Sequence, residues 1–455
     1  MLEIGSFRSG DCEGISRRAF LTAGAVLPFA MGFPALTAGS RGDSQKEPLA
    51  KSVMLIWLGG GPSHLDLFDP KPNAPAQYRG PFSSIATRTP GLRVTELLPK
   101  LAQRSRLYSV IRTNINHNGG HRPAGSIAMT GTVATDGGED RAGKPGGYGP
   151  SLGAIVARRR NSKGLPGFIS LATGPIGDGV GPNIGQGGGR WGKAHDPFML
   201  SCSPAGKVSI PSLKFLDGLS PARLTDRKTM LRELDRARRG IDSSPIRTWD
   251  SVYQKALELL TSREATRMFD LSRESEKTRQ AYGASSFGQS CLLGRRLVEA
   301  GVPYVQVNWS RFVEVLFPFS DYGWDTHSDN FGLMADWHGP LLDRVLSALL
   351  DDLHDRGLLD STLVLCMGEF GRTPKINNIA SRDHWPHCYF SVWAGGGVQP
   401  DRVIGKSDPQ GEHPATDPIT PAMVGTTVLE LAGIDTATRA RMRVLEGGRV
   451  IDGLL

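Results

Sequence analysis

Short, continuous apolar runs that end in glycine-containing turns constrain the fold of this chain most. The first is VMLIWL at 53–58, followed at once by GGGPSH, and TLVLCMGE at 362–369 has the same form. An apolar run without alternation is typical of a strand buried on both faces, as in a parallel sheet covered by helices. Further candidate strands lie at 106–113, 303–309 and 389–397.

Helical periodicity falls between these runs. Residues 340–357 repeat apolar side chains at spacings of three and four, begin with a proline and end in a glycine. A second helix is predicted between Thr420, as its cap, and Gly433. Strands that alternate with helices predict an α/β fold with a largely parallel sheet flanked by helices.

Residues 172–300 do not follow this alternation. The part at 172–206 is glycine-rich and aperiodic, whereas 219–300 is charged and helical in its periodicity. We therefore predict one α/β domain over 53–455, with a glycine-rich loop and a helical insertion at 172–300.

The N-terminal segment has the pattern of an export signal. Arg17 and Arg18 precede a mildly apolar stretch that ends in small residues around Ala38. This order is typical of a twin-arginine signal peptide, which we place at 1–39, with a linker at 40–52. The alternative is an N-terminal membrane anchor. We expect an exported, periplasmic or extracellular protein that uses the twin-arginine export machinery.

Charge and cysteine content exclude some classes of protein. The formal net charge is +8, but the basic residues are scattered over 455 positions. A solvated basic surface is favoured, anionic partners come second, and a nucleic acid partner is not expected. No close cysteine pairs occur, which argues against a zinc ribbon. Cys366 lies within an apolar run and is predicted to be a buried thiol, while one disulfide among the other cysteines stays open.

Polar residues follow the predicted strands, where a parallel sheet binds its ligands. They are His64 and Asp66, then Asn116, His117 and His121, then Asp325 and His327, then Glu369, and finally Asp383, His384 and His387. A mixture of imidazoles and carboxylates suits a divalent metal such as Zn, Mn, Fe or Ca. We expect His121, Asp325, His327 and Glu369 to lie within roughly 10 Å of one another, the span of one metal with its surrounding shell.

Each predicted role has a structural alternative. Metal ligation is predicted for seven side chains, Asp325, His327, Glu369, His384, His387, His64 and Asp66. His64 and Asp66 could instead cap the turn that contains them, and Arg372 could pair with Glu369. Substrate contact is predicted for Asn116, Arg372 and Asp383, and catalysis for His117 and His121. His121 is expected at a helix N-terminus, where the positive end of the dipole would depress its pKa and keep it neutral.

Several long motifs resemble one family. TLVLCMGEFGRTPKIN, RDHWPHCYFSVWAGGGV, GGGPSHLDLFDPKP and GWDTH are similar to segments of DUF1501, a family of exported bacterial proteins grouped with the alkaline phosphatase and sulfatase superfamily. The resemblance covers about 53–455. It implies an alkaline phosphatase-like fold and a metal-dependent hydrolase of phosphate or sulfate esters, whose substrate would be an anionic small molecule or polysaccharide.

The resemblance also implies departures from the superfamily pattern. The nucleophile of sulfatases and alkaline phosphatases stands ten residues before the glycine of a terminal Thr-Gly, and that position is His121 here. The first metal-binding aspartate falls on Gly59 or Gly60, and a later Asp-His pair becomes Glu369-Phe370. Three functions stay open on this basis. The first is the hydrolase, and the second is a catalytically silent protein of the same fold that binds an anion or a polysaccharide. The third is a structural component of the cell envelope.

Overall fold

The computed structural model describes residues 47–132, 148–160, 164–172, 183–210, 263–309 and 323–455. The predicted signal peptide, most of the predicted linker and residues 211–262 of the predicted insertion lie outside the described residues. The strands are β1 Ser52–Leu58, β2 Ser84–Ala86, β3 Arg93–Thr95, β4 Ser109–Asn114, β5 Phe168–Leu171, β6 Phe198–Cys202, β7 Val208–Ser209, β8 Tyr304–Trp309, β9 Thr362–Met367, β10 Gly371–Arg372, β11 His384–Trp385, β12 Tyr389–Ala394 and β13 Val403–Ile404. The helices are α1 Ala76–Arg79, α2 Pro99–Gln103, α3 His121–Thr130, α4 Leu152–Arg159, α5 Arg263–Phe269, α6 Glu276–Tyr282, α7 Ser286–Glu299, α8 Asn330–Leu333, α9 Gly339–Asp355, α10 Pro421–Leu431 and α11 Thr436–Met442.

Nine strands form one sheet in the order β13-β4-β12-β9-β1-β8-β5-β6-β7. Neighbouring strands are parallel except for β12, which is antiparallel to β4 and β9, and β7, which is antiparallel to β6. The largely parallel α/β sheet that the sequence predicts is therefore confirmed. The strands predicted at 53–58 and 362–369 are the neighbours β1 and β9. The strand predicted at 106–113 is β4, and β12 alone lies between it and β9.

The central strand β1 shows why its sequence has no polar alternation. Met54 and Ile56 belong to the core on one face of the sheet, and Leu55 and Trp57 belong to the core on the other. Both faces are therefore closed to water, and the run from Val53 to Leu58 is apolar on both sides.

Helices cover both faces of the sheet. The apolar side chains of α7 and α9 lie in the first core, and those of α4 and α10 in the second. The predicted separation of 172–300 from the sheet is wrong for three of its elements. Strands β6 and β7 extend the sheet, and α7 packs so closely that a Cβ at Gly294 would be 2.5 Å from the side chain of Met54. Because the glycine leaves room for that contact, α7 is a layer of the domain and not a cap on it.

Ordered packing begins before the predicted first strand. The Ala50 N–H donates to the Leu431 carbonyl at 2.9 Å and the Lys51 N–H to the Ser361 carbonyl at 2.7 Å, so these residues are not a free linker. The four described cysteines are buried free thiols, including Cys366 as predicted. Among the described helices, none has both the length and the apolar character needed to cross a membrane.

Candidate metal centre

Four segments meet at the carboxyl edge of the parallel strands. His121 is the first residue of α3, after β4, and Glu369 follows β9. Asp325 lies between β8 and α8, and His384 lies in β11, shortly before β12 begins. Because β12 is antiparallel, its beginning lies at the same edge as the ends of β4 and β9, so His384 reaches this edge from the opposite chain direction.

Asp325 is the hub of the cluster. Its Oδ2 lies 3.0 Å from His121 Nε2, and its Oδ1 lies 3.1 Å from both His327 Nε2 and His384 Nε2. The Nε2 atoms of His327 and His384 are 2.9 Å apart. Among the described residues, the ligand atoms of His121, Asp325 and His384 form a group within 4.8 Å. The expected convergence of His121, Asp325, His327 and Glu369 is therefore present.

The opposite nitrogen of each imidazole is tethered to an oxygen. The bonds are His121 Nδ1 to Glu369 Oε1 at 2.7 Å, His327 Nδ1 to Asp383 Oδ1 at 2.8 Å, and His384 Nδ1 to the Gly119 carbonyl at 2.8 Å. Carboxylate and carbonyl oxygens only accept, so each Nδ1 carries the proton. Each Nε2 then faces Asp325, which is the orientation of metal-ligating histidines held by an outer hydrogen bond.

These residues fit a divalent cation. Ligand atoms of a tetrahedral site with bonds of about 2.1 Å stand about 3.4 Å apart. The distances from the Asp325 oxygens to the three imidazole nitrogens, 3.0 to 3.1 Å, are a few tenths shorter. His121 Nε2 is buried and has no well-aligned hydrogen bond, although Asp325 lies beside it. Lone pairs on His327 and His384 only 2.9 Å apart repel each other unless a proton or a cation lies between them.

Arg372 positions the carboxylate at the hub. Its fully buried guanidinium donates to Asp325 Oδ1 at 2.5 Å and to the carbonyls of Gly61 at 2.9 Å, Trp324 at 3.1 Å and Gly60. The alternative pairing of Arg372 with Glu369 is thus wrong. Its predicted contact with substrate is not supported either, because the side chain has no exposed surface.

Asp325 and His121 hold opposite charges without a metal. Burial alone would raise the pKa of Asp325, but its close contacts with the imidazoles of His121, His327 and His384 outweigh burial and lower this pKa well below its usual range. Burial would lower the pKa of His121, yet its bonds to Asp325 and Glu369 raise it to about 9. The expectation of a depressed pKa at His121 is therefore wrong, because two carboxylates outweigh the helix dipole.

Gly60 brings the turn after β1 against the hub. Its φ is +112°, and a Cβ there would lie 2.2 Å from the backbone nitrogen of Asp325. The Gly60 N–H donates to Glu369 Oε1 at 2.8 Å, the oxygen that also accepts from His121. Backbone therefore occupies the space where the resemblance implies an aspartate side chain.

His64 and Asp66 do not join the cluster. Both oxygens of Asp66 accept from the buried guanidinium of Arg382, at 2.8 and 3.1 Å, and Asn330 donates at 3.1 Å. His64 Nε2 donates to the Gly411 carbonyl at 2.8 Å, and burial lowers its pKa to about 4. The metal roles predicted for these two residues are corrected to structural ones.

The buried side chain of Asn116 stabilises the site through hydrogen bonds to the backbone. Its Nδ2 donates to the carbonyls of Glu369 at 2.8 Å and Ala124 at 3.0 Å, and its Oδ1 accepts from the His117 N–H. Since these bonds occupy the buried side chain, the predicted substrate contact is replaced by a brace. Asp383 likewise tethers His327 through one carboxylate oxygen.

His117 and His387 are exposed and line a neighbouring pocket together with His413. The catalytic role predicted for His117 and the metal role predicted for His387 are thus not supported at the centre. His413 was not predicted from the sequence, because no predicted strand directly precedes it and the Glu-His-Pro turn is its sole signal. Gly119, whose carbonyl holds His384, was not predicted either, because a backbone acceptor has no sequence signature.

No curated protein matches the sequence of this chain significantly. The chain is similar in structure to Ps i-CgsB in complex with k-i-k-neocarrahexaose, at 11% identity and a TM-score of 0.39, with 86% of this chain and 73% of that chain covered. It is similar to the lipoteichoic acid synthase LtaP from Listeria monocytogenes, at 9% identity and a TM-score of 0.36, covering 89% and 74%. It is also similar to the PsFucS1 sulfatase from Pseudoalteromonas sp., at 12% identity and a TM-score of 0.34, covering 90% and 71%. A family model described as a protein of unknown function matches residues 50–455, and the chain therefore belongs to the DUF1501 family.

Proposed function

We propose that the protein is an exported, metal-dependent hydrolase of phosphate or sulfate esters. The observation that carries this proposal is the direction of three imidazoles, each tethered through Nδ1 and each presenting Nε2 to Asp325. The ligand atoms of His121, His384 and Asp325 lie close enough together to hold the metal, and His327, whose Nε2 lies 3.1 Å from Asp325 Oδ1, would complete the set. Three nitrogen ligands favour Zn²⁺, Fe²⁺ or Mn²⁺ over Ca²⁺, which takes oxygen ligands.

A divalent metal bound there supplies a Lewis acid for an ester oxygen and lowers the pKa of a bound water toward about 7. The chain's own residues keep the ligands in place. Arg372 fixes Asp325, while Glu369 and Asp383 fix the tautomers of His121 and His327. With one ring nitrogen committed to Glu369 and the other facing Asp325, His121 is disposed as a ligand and not as a nucleophile.

The location of the centre supports an anionic substrate. His121 begins α3, a helix of ten residues, so the positive end of the helix dipole lies at the centre. Backbone N–H groups at a helix N-terminus bind phosphate and sulfate oxygens. An ester anion is therefore stabilised here by the fold as well as by any bound cation.

Metal content and hydrolysis test the proposal together. Protein purified without chelator should contain about one equivalent of Zn, Fe or Mn and should hydrolyse para-nitrophenyl phosphate or sulfate. His384→Ala should lose both, whereas His354→Ala, which changes an exposed histidine of α9, should lose neither. Wild-type protein that binds metal but hydrolyses no ester would instead support the silent binding protein.

The role of His121 has its own test. His121→Ser restores the hydroxyl that the superfamily places at this position. A ligand role predicts that the serine variant loses the metal and all turnover. Retained metal with measurable hydrolysis by the serine variant would assign the nucleophile to this position instead.

Export is tested at the N-terminus. Changing Arg17 and Arg18 together to Lys should block translocation, because the twin-arginine receptor recognises the pair. Normal export of the double variant would contradict the assignment.

A further inference from the structure

A second histidine cluster lies beside the candidate metal centre. A pocket of about 460 Å³ opens next to the turn that contains Asn116. Its size falls within the range of small-molecule sites. Its lining includes Ile115, His117, His387, His413, Pro414 and Pro418.

Two of the three imidazoles that line this pocket pack against Trp385. The rings of His387 and His413 lie with centroids 4.8 and 5.7 Å from that of Trp385 and 5.5 Å from each other. Trp385 is itself fixed, because its Nε1 donates to the Glu412 carbonyl at 2.7 Å. The pocket therefore presents aromatic faces and ring nitrogens on an anchored support.

The pocket and the centre share two turns of the chain. The Asn116 N–H donates to the Pro386 carbonyl at 2.7 Å and joins the turn before α3 to the turn after β11. Each turn supplies one histidine to the centre, His121 or His384, and one to the pocket, His117 or His387. Since His384 and His387 are three residues apart, their Cα atoms lie within about 11 Å of each other.

The chemistry of the lining indicates its ligand. Among the described residues that line the pocket, none is Asp, Glu, Lys or Arg, so the pocket offers no fixed charge to an ionic group. Aromatic and proline surfaces with a few hydrogen-bonding ring nitrogens suit a ring that has an apolar face and hydroxyl edges. The pocket histidines also fall outside the described group of side chains close enough to share a metal ion.

We propose that this pocket binds a neutral sugar ring of the substrate, so that the hydrolase acts on phosphate or sulfate esters of saccharides. This inference rests on the proposed function for the ester group. The pocket can be tested separately, because sugar binding does not depend on hydrolysis. The ester would lie at the metal centre, and the adjoining sugar would lie among His117, His387 and His413.

The first experiment measures binding without any reaction. Isothermal titration of the full-length protein with lactose and with maltose should give binding that His387→Ala and His413→Ala each weaken at least tenfold. The matched control is His354→Ala, an exposed histidine of α9 outside the pocket. All three changes are at exposed positions, so loss of folding does not confuse the result.

The second experiment compares two classes of ester. Both pocket variants should raise KM at least tenfold for phosphate or sulfate monoesters of glucose and galactose, and leave KM for the para-nitrophenyl esters unchanged. If sugars bind through the pocket but no ester is hydrolysed, the hydrolase function fails and the sugar site stands.

Three results would overturn the sugar site. The first is failure of both disaccharides to bind at millimolar concentration. The second is binding that is equal in wild type, the pocket variants and the control. The third is a second equivalent of Zn²⁺ in wild-type protein that the pocket variants lose, which would make the cluster a metal site.

Discussion

Replacement of Gly60 by alanine should damage the fold and the metal centre together. The added Cβ would lie 2.2 Å from the backbone nitrogen of Asp325, whereas ordinary contact begins near 3.4 Å. The backbone on one side would therefore have to move by about 1 Å. Gly60 also donates to Glu369 and accepts from Arg372, so the displacement reaches both groups that orient the ligands.

The magnitude follows from two costs. A non-glycine residue at positive φ costs about 1–3 kcal/mol, and forcing a methyl into packed surroundings costs about 1–3 kcal/mol more. Gly91→Ala is the matched control, since Gly91 has a φ of +78° but nothing within 4 Å of its Cβ position. Gly91→Ala should therefore be destabilised by the cost of positive φ alone.

Urea denaturation and metal content provide the assay. Gly60→Ala should lose about 2–6 kcal/mol of unfolding free energy, against about 1–3 kcal/mol for Gly91→Ala. A shift of about 1 Å among catalytic groups also costs about 100-fold in rate, so residual hydrolysis should be at most about 1%. Equal unfolding free energies for the two variants, with full metal content in Gly60→Ala, would refute the close approach of this turn to Asp325.

Further predictions concern a tether, a buried ion pair and a buried histidine. Asp383→Ala removes the acceptor that orients His327 and should weaken metal binding about 10–100-fold by competition with a chelating dye, whereas Asp360→Ala, at an exposed position, should not. Asp66→Ala strands the buried guanidinium of Arg382 and should lower the unfolding free energy by about 3–5 kcal/mol in urea titrations. His64 has a folded pKa of about 4, below the ordinary value of 6.5, so the unfolded chain binds more protons between these pH values. Its contribution is complete above about pH 6.5, and about 3 kcal/mol is lost as the pH falls toward 4.

Each of these outcomes has a contrary result. An unchanged metal affinity in Asp383→Ala would show that the tether does not orient His327. The double variant Asp66→Ala with Arg382→Met should recover stability relative to Asp66→Ala alone, and failure to recover would show that the stranded charge is not the cause. His64→Gln should flatten the dependence of the unfolding midpoint between pH 6.5 and pH 4, and an unchanged slope would exclude His64 as its source.

The strands and the sheet edge were predictable because burial leaves a local signature. Strand β1 is apolar from Val53 to Leu58 because both of its faces are covered, and ligands of a parallel sheet collect after strand ends. The candidate site residues that follow strand ends, among them His121 and Asp325, could therefore be identified without a structure. The same rule also selected Asp66, because polar residues after strands look alike in sequence whatever their partners.

The remaining features depend on long-range contacts that no local pattern contains. The partner of Asp66 is Arg382, 316 positions away, and the acceptor of His384 is the backbone of Gly119, 265 positions away. The pKa of His121 depends on two carboxylates that approach it only in the folded chain. Helix α7 was predicted to lie apart from the sheet because it belongs to the charged segment 219–300, and its own sequence does not show that Gly294 packs against Met54 of β1.

The antiparallel strand β12 has a consequence for how this family can diversify. Because β9 ends and β12 begins at the same edge, the connection at 368–388 leaves the metal centre and returns to it without crossing the sheet. That single segment carries Glu369, Arg372 and His384, whereas a connection between parallel strands must cross back over one face of the sheet. Substitutions, insertions or exchange of this segment between relatives would therefore change ligand geometry and substrate preference while the strand order and both cores stay as they are.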